Sequence, residues 1–201
     1  MSCDTECRRR GLYSDDFCTA FCVVIQHEGG YADDPLDPGG MTYMGISRVN
    51  HPAWPGWQVI DHLRAEMEHP AYSLHAELQD LVRDFYHAEY WVRLHGDFLA
   101  SLALDLAVEM FDTAVNLGRR RAVEILQQAL NLLNRDQLLY PDIVEDGMIG
   151  NVTRQTLVRY CNRQSPAVLV KVMNHLQAAH YINLMRKYPS RERFVGWFAR
   201  T

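Results

Sequence analysis

Residues 101–117 constrain the fold most, because they have the pattern of a helix that is apolar nearly all round. Such a helix needs other elements to cover most of its surface. A narrow polar stripe interrupts the apolar surface, with residues spaced by four, three and four positions: Asp105, Glu109, Asp112 and Asn116. We therefore predict a central helix that ends at Gly118 and whose polar stripe faces solvent or a cleft.

Other apolar periodicities predict a chain that is mainly α-helical. Ser14 is a candidate N-cap for a helix with Asp15 and Asp16 in its first turn. Further helices are predicted around residues 74–85, over 122–133 and 153–161, and from Ser165-Pro166 onward. The helix that follows Ser14 is expected to turn four residues inward: Phe17, Phe21, Val24 and Ile25. The helix that begins at Ser165-Pro166 is expected to turn inward Leu169, Val172, Leu176 and Ala179.

Residues 31–70 contain repeated turn signals instead, among them Asp34-Pro35, Asp37-Pro38-Gly39-Gly40 and Pro55-Gly56. We predict a loop-rich segment that can carry short β-strands but no regular helix. A segment of this length without helix inside a compact protein is often functional. It is therefore the expected working part of the molecule.

The formal net charge of -5 argues against the dense positive field that nucleic-acid binding usually requires. The longest apolar run, residues 17–25, is shorter than the roughly 20 residues of a membrane-spanning helix. That run also lacks the features of a signal peptide. We expect no nucleic-acid partner, no membrane insertion, and synthesis in the cytoplasm without a signal peptide.

The five cysteines form an odd count without the spacing of a disulfide framework, which suits a reducing cytoplasm. They are Cys3, Cys7, Cys18, Cys22 and Cys161. The two four-residue spacings can place paired thiols on one helical face, but zinc would need two more ligands nearby and none is evident. The histidines also lack metal-ligand spacing, so we predict neither a metal nor a cofactor.

Glu28 lies one turn beyond Val24 on the apolar face of the first long predicted helix, where Gly29-Gly30 is expected to end it. A carboxyl group there would be partly desolvated, which raises its pKa and retains its proton near neutral pH. Glycosidic cleavage needs such an acid to protonate the leaving oxygen. Glu28 is thus a candidate acid, although an ordinary helix-end carboxylate is the simpler interpretation of that residue alone. The zinc-protease motif His-Glu-x-x-His is excluded, because Tyr31 occupies the place of its second His.

A second carboxylate, which would activate water or support the transition state, is available in the turn-rich segment. The candidates are Asp33, Asp34 and Asp37, with Thr42 just beyond. Asp34 and Asp37 are also typical turn residues, and Thr42 could instead form a local backbone hydrogen bond. The aromatic residues Tyr31, Tyr43, Trp54 and Trp57 could stack on sugar rings, although each alone is typical of partly buried packing.

Several motifs in one order resemble glycoside hydrolase family 108: Glu28-Gly29-Gly30-Tyr31, Asp34-Pro35, Asp37-Pro38-Gly39-Gly40, and Thr42 followed by Gly45-Ile46-Ser47. The second half resembles the partner region of that family, a predicted peptidoglycan-binding domain. This second resemblance rests on residues 111–118, 126–130 and 146–150 together with Thr153. The two resemblances cover most of the chain.

The resemblance implies a lysozyme-like, mainly helical fold, with a catalytic region at 14–100 and a peptidoglycan-binding-like helical region at 101–201 in one compact body. It implies an N-acetylmuramidase of the phage-endolysin kind, which cleaves the β-1,4 bond between N-acetylmuramic acid and N-acetylglucosamine. Glu28 would be the catalytic acid. A similarity to the Glu-x8-Asp-x5-Thr triad of phage endolysins implies that Asp37 and Thr42 position water, although Thr42 comes one residue early.

Under this interpretation Tyr31, Tyr43, Asp112 and Asn116 bind the glycan strands of peptidoglycan. We expect a monomer that reaches the wall after release from the cytoplasm, with a separate export or holin-type helper, and causes host lysis. Two alternatives stay open. One is a lytic transglycosylase that uses Glu28 alone, and the other is a non-catalytic protein that binds the wall or assists secretion.

Overall fold

The computed structural model of the chain describes residues 3–9, 11–33, 40–66, 72 and 75–188. The chain divides into two compact units, Met1–Arg93 and Leu94–Thr201. Helices dominate both units, and the described residues contain a single small sheet. The prediction of a mainly α protein with short strands is confirmed. In the part of the chain that is described, no helix is long and apolar enough to cross a membrane.

The described residues of the first unit form four α-helices and a three-stranded antiparallel sheet in the order β1-β2-β3. Its elements are α1 (Cys3–Arg9), α2 (Asp15–Ile25), β1 (Tyr31–Ala32), β2 (Thr42–Tyr43), β3 (Ile46–Ser47), α3 (Gly56–Glu66) and α4 (Ala76–Tyr86). A π-helical segment, His87–Trp91, continues α4. The Trp91 ring packs on the Phe17 ring of α2 at 5.7 Å between centroids, which ties the two ends of this unit together.

Helix α2 begins where the sequence predicts, because the Ser14 hydroxyl accepts a hydrogen bond from the Phe17 amide at 3.2 Å. Its regular helix ends at Ile25, earlier than the predicted end at Gly29. Two backbone hydrogen bonds between residues three apart then form a tighter turn after the helix. They run from His27 N to Val24 O at 3.1 Å and from Glu28 N to Ile25 O at 3.2 Å. Glu28 therefore follows the helix on a fixed turn instead of lying within it.

Two disulfides join α1 to α2, linking Cys3 to Cys22 and Cys7 to Cys18. The prediction of reduced cysteines without a disulfide framework is wrong. Each helix carries two cysteines four residues apart, which places both thiols on one face. The two helices are adjacent, and their cysteine faces meet. Cys161 remains a free thiol.

Helix α3 corrects the prediction that residues 31–70 contain no regular helix. It buries Trp57, Ile60 and Leu63, which follow each other at steps of three, and it starts just after Pro55. The turn signal Pro55-Gly56 marks the beginning of this helix instead of a loop, because proline is well tolerated at a helix start. The apolar spacing of Trp57, Ile60 and Leu63 is the sequence signal for this helix.

Up to Tyr188, where the described residues end, the second unit contains five helices: α5 (Gly96–Leu102), α6 (Leu104–Leu117), α7 (Arg119–Leu132), α8 (Asn151–Cys161) and α9 (Pro166–Lys187). Helix α6 is central in this unit, packing on α5, α7 and α9. It begins at Leu104, three residues later than predicted, because Ala103 has an extended backbone that separates it from α5. Gly118 ends it as predicted, with a φ of +84°.

Three of the four residues of the α6 polar stripe are partly or largely buried, and Glu109 of the stripe packs against α9 within the second unit. The Thr113 hydroxyl donates to Glu109 Oε1 at 2.9 Å, and it accepts from Gln177 Nε2 at 2.9 Å. With its nitrogen oriented toward Glu109, the Asn174 amide donates to both carboxylate oxygens at 2.7 Å. Burial raises the pKa of Glu109 to about 7.

The buried face of α9 differs from the predicted one. Its fully covered residues are Leu169, Met173, Gln177 and Tyr181, spaced by four, whereas Val172 and Leu176 are half-buried and Ala179 is exposed. The polar Gln177 belongs to this face because it bonds to Thr113 of α6. A pattern based on apolar residues alone therefore identifies Leu169 but not the rest of this face.

Candidate active site

Glu28 is half-buried, and its carboxyl group lies directly over Gly45. A Cβ atom added to Gly45 would stand 2.4 Å from Glu28 Oε2 and 2.6 Å from the Tyr86 hydroxyl oxygen. Carbon and oxygen atoms do not approach so closely, so only glycine leaves room for the carboxyl group in this position. The turn after α2, the turn between β2 and β3, and the end of α4 thus meet at Glu28.

The turn between β2 and β3 consists of Met44 and Gly45, which have φ angles of +45° and +78°. Two successive positive φ values are the requirement of a tight two-residue hairpin. The Met44 amide donates to the Gly30 carbonyl at 3.2 Å, and the Tyr86 hydroxyl donates to the Met44 carbonyl at 2.8 Å. The hairpin turn is therefore bonded both to the segment that carries Glu28 and to α4.

Tyr86 is a site residue that the sequence analysis did not single out. Its ring is 2% exposed and packs between Phe21 of α2, at 5.8 Å, and Tyr90 of the π-helical segment, at 5.6 Å. Its hydroxyl bonds to the carbonyl of Met44, whose amide bonds to Gly30. No local pattern marks Tyr86 as a site residue, because the hairpin turn that it bonds to is 42 residues away in sequence.

Tyr31 and Asp33 form a small cluster with Arg64 of α3. The Tyr31 hydroxyl donates to Asp33 Oδ2 at 3.3 Å, and Arg64 Nη2 lies 3.5 Å from the same oxygen. The Arg64 guanidinium is 5.7 Å from the centroid of the Tyr31 ring, and the Tyr72 ring meets Tyr31 edge-on at 5.3 Å. Partial burial raises the pKa of Tyr31. Asp33, one of the candidate second carboxylates, is therefore engaged by a cation and a hydroxyl group.

Of the other residues predicted to activate or position water, the structure describes Thr42 but not Asp34 or Asp37. Thr42 is half-buried in β2, paired with Ala32 of β1 on one side and Ser47 of β3 on the other. Asp34 and Asp37 lie outside the described residues. The roles of Asp37 and Thr42 therefore stay predictions.

Tyr43 is a core residue and not a sugar-binding one. Its ring is 1% exposed, and its hydroxyl accepts from Gln79 Nε2 at 2.8 Å and donates to the Tyr72 carbonyl at 3.3 Å. Burial raises its pKa to about 12. A ring without an accessible face cannot stack on a ligand. The same holds for Trp57, which is 2% exposed, whereas Trp54, 7% exposed, borders a surface groove.

Asp112 and Asn116, the remaining predicted substrate-binding residues, belong to the second unit. The Asn116 amide donates to the Asp112 carbonyl at 2.9 Å and to Asp112 Oδ2 at 3.1 Å. Asp112 is 8% exposed and Asn116 is half-buried. These bonds lie within α6, and glycan binding by the two residues stays a prediction.

Comparison with known proteins matches residues 21–118 to the family described as glycosyl hydrolase 108 and residues 121–201 to a predicted peptidoglycan domain. The chain therefore carries a glycosyl hydrolase 108 region followed by a predicted peptidoglycan domain. The first region makes the protein a glycoside hydrolase, and the second makes peptidoglycan its partner. The first match includes Glu28, Gly45 and Tyr86, so the three residues that converge at the candidate site all lie in the hydrolase region.

The chain is similar to a solved structure, that of SagA from Brucella abortus, with a TM-score of 0.59 and 24% sequence identity. The similarity covers 92% of this chain and 88% of that one, and it shows a shared fold. Among curated protein sequences, none matches. Within the described residues, no group of three or more His, Cys, Asp or Glu side chains is arranged to hold a metal ion.

Proposed function

We propose that the protein is an N-acetylmuramidase, which hydrolyses the β-1,4 bond between N-acetylmuramic acid and N-acetylglucosamine. The observation that carries this proposal is the Glu28 carboxyl group placed over Gly45, where a side chain of any size would displace it. A general acid must be held in one geometry to protonate a leaving oxygen. The match to a glycosyl hydrolase family supports the same role.

In the proposed reaction the Glu28 carboxylic acid donates its proton to the glycosidic oxygen as the bond from that oxygen to the muramic acid C1 breaks. A water molecule adds its oxygen to C1 and gives up one proton to a base. Asp37, assisted by Thr42, is the proposed base and water-positioning pair. The products are a reducing N-acetylmuramic acid end and a free 4-hydroxyl on N-acetylglucosamine, with one water consumed for each bond cleaved.

We further propose that the protein acts on the cell wall after release from the cytoplasm, in host lysis, with a holin-type helper. The disulfides Cys3–Cys22 and Cys7–Cys18 support action in an oxidising compartment, because such bonds persist outside the reducing cytoplasm. The helper would give the protein passage across the inner membrane to the wall.

The test is digestion of purified peptidoglycan sacculi in water enriched in oxygen-18, followed by mass spectrometry of the products. The proposal predicts reducing N-acetylmuramic acid ends that carry the heavy oxygen. Anhydro-muramic acid ends without the label would identify a lytic transglycosylase, since the sugar's own hydroxyl then replaces water. Wall binding without any cleavage product would identify a non-catalytic wall protein.

A further inference from the structure

The second unit carries a groove on the outer face of α8, separate from the hydrolase site. It has a volume of about 450 Å³ and is bordered on its far side by the half-buried Phe98 of α5. Its lining consists of one aromatic, one aliphatic, two amide and two guanidinium side chains: Phe98, Val158, Asn151, Gln155, Arg154 and Arg159. The groove thus combines apolar walls with polar and cationic groups.

The charge of this groove is opposite to that of the whole chain. The net charge is -5, yet two arginines and no carboxylate line the groove in the described part of the chain. Arg154 Nη2 donates to Asn151 Oδ1 at 2.7 Å, which orients its guanidinium along α8. Such a bond uses one N–H of a group that has five donors. The remaining donors are available to a ligand.

Two other arginines of the second unit form ion pairs within the fold. Arg120 and Arg121 of α7 both pair with Glu124, at 3.0 and 3.1 Å. Among the described residues, neither Arg154 nor Arg159 forms an ion pair with a carboxylate. Arg154 and Arg159 differ from Arg120 and Arg121 in this respect, and they lie together on the groove.

We propose that this groove binds the peptide stem of peptidoglycan through its carboxylate groups, while the first unit acts on the glycan. The inference rests on the proposed function, which places the protein on peptidoglycan. Guanidinium groups recognise carboxylates through paired hydrogen bonds. The amides of Asn151 and Gln155 suit peptide N–H and C=O groups, and Phe98 and Val158 suit alkyl side chains. The neutral sugar rings of the glycan would not require two unpaired cations.

The test measures binding in a Glu28→Gln background, which prevents digestion of the wall. Sacculi are compared with the same sacculi after an amidase has removed the peptide stems. The groove variant is Arg154→Gln with Arg159→Gln, and the matched control is Lys171→Gln with Arg186→Gln, which removes two exposed positive charges from α9. Circular dichroism and thermal midpoints check that both variants fold.

On intact sacculi the groove variant is expected to bind about tenfold more weakly than the background protein, and the control within about twofold of it. On stripped glycan the difference between the variants should vanish. The inference is overturned if the groove variant binds intact sacculi as the control does, or if its loss is the same on stripped glycan. Cleavage of stripped glycan by protein with Glu28 intact reports on the proposed function separately, so each can fail alone. If the groove variant does not fold, Arg159→Gln alone replaces it, with an expected loss of severalfold.

Discussion

Replacing Gly45 by Ala adds one methyl group at the point where the site elements meet, and its effects can be worked out from the structure. The first effect is on the backbone, because Gly45 has a φ of +78° and a left-handed conformation costs an L-residue about 1–2 kcal/mol. The second is steric. The methyl carbon would stand 2.4 Å from Glu28 Oε2, whereas ordinary contacts begin at 3.4 Å, so the carboxyl group must move by about 1 Å.

A displacement of this size in a reacting group lowers the rate by about 100-fold. We therefore expect kcat for the release of reducing ends to fall by about that factor in Gly45→Ala. The backbone strain lowers the thermal midpoint by only a few degrees, at about 2–4 °C for each kcal/mol in a chain of this size. The two measurements are a product assay on sacculi and calorimetry of the same preparation.

Gly11→Ala is the matched control. Gly11 also has a positive φ, of +63°, but an added Cβ would have no atom within 4 Å. This control therefore carries the strain without the steric displacement. The reasoning is refuted if Gly45→Ala retains an activity within twofold of Gly11→Ala.

Three further predictions concern Tyr86, the cysteines and Glu109. Tyr86→Phe removes the hydrogen bond to the Met44 carbonyl and should lower the unfolding free energy by about 1 kcal/mol in urea titrations, with a smaller loss of kcat than Gly45→Ala; unchanged stability would contradict this. Alkylation of the denatured protein, counted by mass, should modify Cys161 alone before reduction and all five cysteines after it; several modified thiols before reduction would contradict the disulfides. The pKa of Glu109 is about 7 in the folded protein, above the ordinary 4.5. The contribution of this group to folding stability is therefore complete below pH 4.5 and is lost as pH rises through 7. Thermal midpoints from pH 4 to 8 should therefore fall less in Glu109→Gln than in wild type, and equal slopes would refute the assignment.

Helices were predictable from the sequence where an apolar face and a capping or terminating residue lie close together in the chain. The Ser14 cap, the inward face of α2 and the Gly118 end of α6 all follow from residues close to one another in the chain. Helix α3 was missed because the turn signals around it outweighed the three-residue spacing of Trp57, Ile60 and Leu63. A local signal fails when the same residues are compatible with a turn and with a helix start.

Site residues were predictable only where they lie in a motif. Glu28 stands out because of its place after an apolar helix face, whereas Tyr86 has no local signature and becomes evident only from its contact with the hairpin turn. Tyr43 shows the converse, since an aromatic residue in a loop-rich segment resembles a sugar-binding group until its burial is known. The disulfides likewise depend on two helices meeting, which cysteine spacing alone does not show.

The central claim is that Glu28 is the general acid, and the most direct measurement is the turnover rate of Glu28→Gln on soluble glycan strands. The amide keeps the size of the side chain but cannot donate an acidic proton, so the rate should fall by about 10²–10⁴-fold with the thermal midpoint nearly unchanged. Glu77→Gln, at an exposed position in the first turn of α4, is the control and should retain full activity. A folded Glu28→Gln protein with more than a tenth of the wild-type rate would contradict the claim.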